Sequence, residues 1–149
     1  GRDIAVITQN IDGLHQKAGS KHVYELHGSG LRNFCMGCGK AYPVERLLKL
    51  RAQSADGVPR CPACGGIVKP DVVLYEEPLD ERTLSGAVAT IKHAELLVVA
   101  GTSLAVYPAA GLIDFFAGSH LVIVNRTPPP RDQHADLCVA ANVGDVFDF

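Results

Sequence analysis

The sequence predicts an α/β fold, a parallel sheet layered with helices and interrupted by one inserted module. Three observations carry this expectation. Ile4 to Thr8, Leu96 to Ala100 and Leu121 to Val124 are short apolar runs rich in β-branched residues, the pattern of strands buried in a parallel sheet. Segments of helical spacing separate the later runs. Residues 34–69 break that rhythm and hold two Cys-x-x-Cys pairs.

Taken in order, the first run leads to the polar stretch Gln9-Asn10-Ile11-Asp12. Before the second run, Leu79 to Ala94 places Leu84, Val88 and Ile91 at helical spacing, with Asp80 available as an N-cap. After Gly101-Thr102-Ser103, Pro108 to Phe116 predicts a second helix with proline in its first turn. Strand, helix, strand, helix, strand describes a doubly wound, Rossmann-like layer. We assign this layer to residues 1–33 and 70–149 and the inserted module to residues 34–69. Within the module, Val44 to Ala52 predicts a short helix with Leu47, Leu48 and Leu50 as its apolar face.

The 149 residues, 47% hydrophobic and 20% charged, have the size and apolar content of an ordinary globular domain. No apolar run approaches the roughly 20 residues of a membrane-spanning helix. Gly1-Arg2-Asp3-Ile4 shows no targeting pattern, so a cytoplasmic protein without a membrane partner is expected. The net charge of −2 is uneven: residues 1–75 hold 10 Lys/Arg against 6 Asp/Glu, and residues 76–149 hold 4 against 10. The positive charges are scattered and not interleaved with aromatics, which argues against direct nucleic-acid binding. Nothing in the sequence assigns an oligomeric state.

Five cysteines are an odd count for a disulfide framework. Cys35 and Cys38, then 22 residues, then Cys61 and Cys64 offer four thiolates on two tight turns, the way proteins build a closed tetrahedral zinc site. Gly37, Gly39, Gly65 and Gly66 let the backbone bend so that amides approach sulfur. With four sulfurs the ion has no open position, so one structural zinc per chain is expected and catalysis must lie elsewhere. Cys138, in an apolar stretch, is expected to be a small buried core residue.

All three strand runs end in polar or glycine residues: Gln9-Asn10-Ile11-Asp12, Gly101-Thr102-Ser103, and Asn125-Arg126-Thr127. They fit three walls of one crevice at strand C-termini, or three unrelated loops. His15 and His27 lie near the first of them, and His27 stands in Leu26-His27-Gly28. A histidine at a strand end can serve as general base or as a structural residue.

These pieces, in this order, resemble the sirtuins, the NAD-dependent protein lysine deacylases. The resemblance rests on residues 8–15 (Thr-Gln-Asn-Ile-Asp-Gly-Leu-His), Leu26-His27-Gly28 and the four cysteines. It continues through residues 69–77 (Lys-Pro-Asp-Val-Val-Leu-Tyr-Glu-Glu), Gly101-Thr102-Ser103-Leu104 with Val106 and Pro108, and Val124-Asn125. It implies transfer of the acyl group from acyl-lysine in proteins or peptides to ADP-ribose, with release of nicotinamide from NAD. His27 then matches the catalytic base. Gln9 and Asn10 match positions at the nicotinamide ribose and reacting water, and Ile11 and Asp12 the nicotinamide carboxamide pocket. Gly101, Thr102 and Ser103 match the phosphate and adenosine-ribose contacts, Asn125 the adenosine ribose, and Asn142 and Val143 the adenine. Val73, Leu74 and Tyr75, with Ala105 and Val106, match the two extended segments that hold the peptide as a strand. His15 matches a supporting position.

Two departures stand out. The family's Phe-Gly-Glu reads Tyr75-Glu76-Glu77 here, and the glycine-rich phosphate loop and Pro-Asp-Phe-Arg segment that precede the Gln-Asn-Ile-Asp motif do not occur. The chain therefore reads as an N-terminally truncated member whose sheet exposes an apolar edge and which alone turns over poorly or not at all, and its compact zinc module and short C-terminus resemble the bacterial type. A non-catalytic zinc- and protein-binding module and a protein mono-ADP-ribosyltransferase are the other functions open at this stage.

Overall fold

A computed structural model describes residues 3–127 and 134–148. Gly1 and Arg2, which entered the targeting argument, lie outside the described residues. The chain divides into two compact units, Gly1–Leu84 and Ser85–Phe149. Among the described residues, no helix is long and apolar enough to cross a membrane.

The first unit opens with β1 (Ala5–Thr8), α1 (Leu14–Lys17) and β2 (His22–Glu25). β1 and β2 pair in parallel with Ala5 opposite His22 and Thr8 opposite Glu25. β3 (Gly28–Cys35), β4 (Ala41–Pro43), α2 (Val44–Gln53) and β5 (Val68–Val72) complete it. β3 is the centre of an antiparallel sheet in the order β4-β3-β5, and its register with β5 shifts between Ser29 and Asn33. The α2 helix buries Leu50 and packs Leu47 against Cys35, Tyr42, Cys61 and Val68. Leu48, expected on the same face, is exposed, because a residue two positions before Leu50 lies well round the helix whereas one three before it does not.

Helix α3 (Glu81–His93) spans the junction of the units. The second unit holds β6 (Leu96–Ala100), a 3₁₀ helix over Ala109–Phe115, β7 (His120–Val124), β8 (Leu137–Val139) and α4 (Val143–Phe147). β6, β7 and β8 form one parallel sheet in that order.

The parallel pairing is as the apolar runs predict, with four corrections to the expected elements. The runs were expected to be buried strands of one layer, yet β1 pairs with β2 in a separate two-stranded sheet. β6 is also not buried on both faces: it edges its sheet, and its alternation leaves Leu96 and Val98 exposed while Leu97 and Val99 are half-buried. The helix expected from Pro108 to Phe116 is 3₁₀, closed by bonds such as the Gly111 amide to the Pro108 carbonyl at 3.0 Å. Finally, Cys138 is exposed, because it lies on the short edge strand β8.

The expected cap of α3 is present. Asp80 Oδ2 accepts from the Thr83 amide at 2.8 Å and from the Thr83 hydroxyl at 2.9 Å. The amide bond, followed by the hydroxyl bond, holds the Asp80 carboxyl below its ordinary value of 3.8. A depressed folded pKa stabilises fully above the ordinary value, and the effect is lost as pH falls through the folded one. The Tm difference between wild type and Asp80→Asn should therefore be constant above about pH 5 and shrink below about pH 4. A difference that grows in acid would contradict this sign.

Candidate functional site

The two cysteine pairs occupy matching turns. In each, the residue after the second cysteine is a glycine in the left-handed region, Gly39 at φ 71° and Gly65 at φ 74°. Their amides close the turns onto the Cys35 carbonyl at 2.9 Å and the Cys61 carbonyl at 2.8 Å. Side chains would be strained there, which explains the repeated Cys-x-x-Cys-Gly. Gly66 has a different reason to be small: a Cβ there would lie 3.0 Å from Cys35 Sγ.

These turns bring all four sulfurs within 4.8 Å of one another. Cys35 and Cys64 Sγ are 3.4 Å apart, and Cys38 and Cys61 Sγ 3.7 Å. A tetrahedral zinc with sulfurs at about 2.3 Å requires edges of about 3.8 Å, so the donor set fits this ion. Cys35 and Cys61 are buried and Cys38 and Cys64 exposed, so the cluster is half embedded in the core around Tyr42, Leu50 and Val68.

The electrostatics point the same way. The Tyr42 hydroxyl, 3.0 Å away, lowers the Cys61 thiol to about 6, and the same bond pushes Tyr42 up to about 12. Cys35 is also lowered, first by the Cys38 amide. Cys64 is lowered by the Gly66 amide, but its bonds with Cys35, Cys38 and Cys61 outweigh this and push it up to about 12. Sulfurs this close share protons, because adjacent thiolates repel unless a cation sits among them.

The second cluster surrounds His27. The Leu26 amide donates to the Thr8 carbonyl at 3.0 Å, which continues the β1–β2 pairing up to the histidine. His27 Nδ1 lies 3.0 Å from the Gln9 carbonyl. A carbonyl only accepts, so Nδ1 carries the proton and Nε2 of the neutral ring keeps its lone pair. The Gly30 amide donates to the Ile11 carbonyl at 2.9 Å, and the Val73 amide to the His27 carbonyl at 3.1 Å. Gln9, Ile11, His27 and Val73 are thereby stitched together, with Asn10 and Asp12 in the same loop. That loop is shaped by its own side chains: Thr8 Oγ1 accepts from the Asn10 amide and Asp12 Oδ1 from the Leu14 amide. His15 is half-buried in α1.

Gly28 turns the chain from His27 into β3. Its φ is +75°, and a Cβ there would stand 2.0 Å from the Asp71 carbonyl oxygen, so only glycine fits. Arg32, in the irregular stretch of β3, bonds Glu25 at 2.5 Å and Asp71 at 3.0 Å. Past Val73, the segment expected to be extended closes into a turn, with the Glu77 amide 3.1 Å from the Leu74 carbonyl. Tyr75 is fully exposed, and Glu76 keeps a left-handed φ of 70° where the resemblance has glycine.

In the second unit, the Gly101 amide extends the β6–β7 pairing to the Val124 carbonyl at 3.0 Å, and a Cβ added at Gly101 would lie 3.5 Å from Val143 Cγ2 at the start of α4. Gly101, Asn125 and Val143 therefore share one end of this sheet. Thr102 Oγ1 accepts from the Leu104 amide, Asn125 Nδ2 donates to the Thr127 carbonyl, and Asn142 Nδ2 donates to Asp145. Ser103, Ala105 and Val106 are exposed in the irregular connection that follows β6. The sequence reading quoted Thr8 within its motif but gave it no role, and it missed Tyr42 and the Glu25–Arg32–Asp71 tie. A threonine closing an apolar run was the available signal for Thr8.

Comparison with known proteins places this geometry in context. The model of the Sir2 family matches residues 1–108. A protein named NAD-dependent protein deacetylase from Clostridium acetobutylicum is 52% identical over 148 residues, covering 99% of this chain and 59% of the relative. Its namesake from Cutibacterium acnes is 52% identical over 144 residues, covering 97% and 57%. Among solved structures, one described as Sir2 with p53 peptide and NAD+ superposes with a TM-score of 0.89 at 43% identity, covering 96% of this chain and 60% of that one. Another, described as Sir2 bound to acetylated peptide, gives 0.90 at 42% identity, covering 96% and 60%. The chain thus spans about three fifths of the length of the relatives it matches. By the match of the family model, the identity to these relatives and the shared fold, the chain belongs to the Sir2 family.

Proposed function

We propose that this chain is the part of a bacterial NAD-dependent protein lysine deacetylase that carries the proton acceptor, one face of the acyl-peptide site and a structural zinc. The observation that carries the reading is the His27 ring, whose Nδ1–H is held by the Gln9 carbonyl at 3.0 Å so that Nε2 faces its surroundings as a base. NAD, when bound, supplies the ADP-ribose that accepts the acyl group and loses nicotinamide. Gln9, Asn10, Ile11 and Asp12 would hold its nicotinamide end. Gly101, Thr102, Ser103, Asn125, Asn142 and Val143 would hold its adenosine and phosphates. The bare backbone at Gly101 suits close approach of a phosphate.

Val73 would present main chain to an acyl-lysine peptide, because its amide is spent on His27 and it lies one residue past the end of β5. Leu74 and Tyr75, and in the second unit Ala105 and Val106, are the positions we assign to peptide binding. We assign residues 34–69 as the zinc module and the flanking residues as cofactor-binding layer. The likeness to bacterial deacetylases supports a cytoplasmic protein.

Two measurements test this. Metal analysis of the purified chain should find about one zinc, and Cys35→Ser or Cys61→Ser should remove it. An unchanged zinc content in both variants would overturn the site. For activity, a version completed with the segment that the Clostridium acetobutylicum relative carries outside the matched residues should release nicotinamide in step with deacetylation of an acetyl-lysine peptide. The 149-residue chain alone should do so poorly or not at all. His27→Ala in the completed protein should slow turnover by about 100-fold or more. NAD binding without turnover would favour a non-catalytic module, and a mass gain on an acceptor protein without loss of acetyl would favour mono-ADP-ribosyl transfer.

A further inference from the structure

We propose that Tyr42 is a positioning residue of the metal centre, holding the Cys61 thiolate by a buried O–H to sulfur hydrogen bond and thereby slowing loss of zinc. The hydroxyl lies 3.0 Å from Cys61 Sγ, and both residues are buried. A zinc-bound thiolate has no proton to give, so in the loaded site the tyrosine is the donor.

Four thiolates around one divalent cation leave a net charge of about −2, half of it embedded in an apolar core. Amides serve that charge from the turns, as Gly37 does for Cys35 at 3.3 Å. Among the described residues, Cys61 alone of the four receives a side-chain hydroxyl, delivered from β4, an element that supplies no ligand. Tyr42 is fixed for this role from behind: it stands opposite Asn33 in the β3–β4 register, and Asn33 Nδ2 donates to its carbonyl at 3.3 Å. Its ring packs in the core with Leu50 and Val68, so the hydroxyl has little freedom to point elsewhere. Removing the hydroxyl leaves a buried thiolate with less compensation and a weaker hold on the ion.

The test uses the 149-residue chain and Tyr42→Phe, which keeps the ring. Zinc transfer to a chromogenic chelator at neutral pH should become about tenfold faster, the lower end of the effect of losing an outer-shell partner. In the cobalt-substituted protein, the sulfur-to-metal charge-transfer band should move to lower energy, since sulfur lone pairs are no longer stabilised by the bond. Wild-type chain made with 3-fluorotyrosine, a stronger donor, should move the band to higher energy. Release within about twofold of wild type, or faster release with an unmoved band, would overturn the proposal, the latter assigning Tyr42 to packing alone. Should Tyr42→Phe fail to fold, an unmoved band in the fluorotyrosine protein would overturn it by itself.

Discussion

The close approach of β3 to β5 at Gly28 is the constraint on which the first unit depends. One strand, Gly28–Cys35, begins directly after His27 and ends on a metal ligand. At its start the backbone passes so near the Asp71 carbonyl that a Cβ would overlap it. At its end Cys35 pairs with Val68, the first residue of β5. The histidine turn and the sulfur cluster are therefore two ends of one pair of strands. The Val73 amide, one residue past β5, returns to the His27 carbonyl and closes the loop.

This arrangement gives zinc a mechanical role that fits its coordination. An all-sulfur site leaves no position for water, but it ties the turn after β3 to the turn before β5. The apolar support there is small: Tyr42, Leu50 and Val68, with Leu47 at its margin. Modules of this size gain much of their stability from the metal. The opposite end has a different kind of support, from Arg32 bridging Glu25 and Asp71. Such part-exposed ion pairs fix geometry more than they stabilise. Stability and positioning are thus supplied at different ends of the same strands.

Much of this was legible in the residues. The β-branched runs read as strands because strand chemistry is local, and Asp80 read as a cap because its partner Thr83 is three residues away. The cysteines read as a metal site because tight turns constrain their spacing. What stayed hidden depends on distant partners. β3, Gly-Ser-Gly-Leu-Arg-Asn-Phe-Cys, lacks alternation because its register with β5 shifts mid-strand, and β5 carries Pro70. Nothing near Tyr42 signals a sulfur 19 positions away. The exposure of Cys138 follows from β8 being an edge, which its neighbours in sequence do not determine. For the candidate site, the motif order singled out His27, but the hydrogen bond of its Nδ1 to the Gln9 carbonyl came only from the structure.

The central claim is that zinc, by tying β3 to β5, keeps folded the strand pair on which the His27–Gln9 hydrogen bond depends. Nitrogen-15 NMR of the histidine rings in the zinc-loaded chain, before and after complete chelation, tests it most directly. The account predicts a hydrogen-bonded Nδ1–H and an unprotonated Nε2 for His27 with zinc, and loss of that signature when zinc is removed. An unchanged His27 ring signal in the zinc-free chain would contradict it.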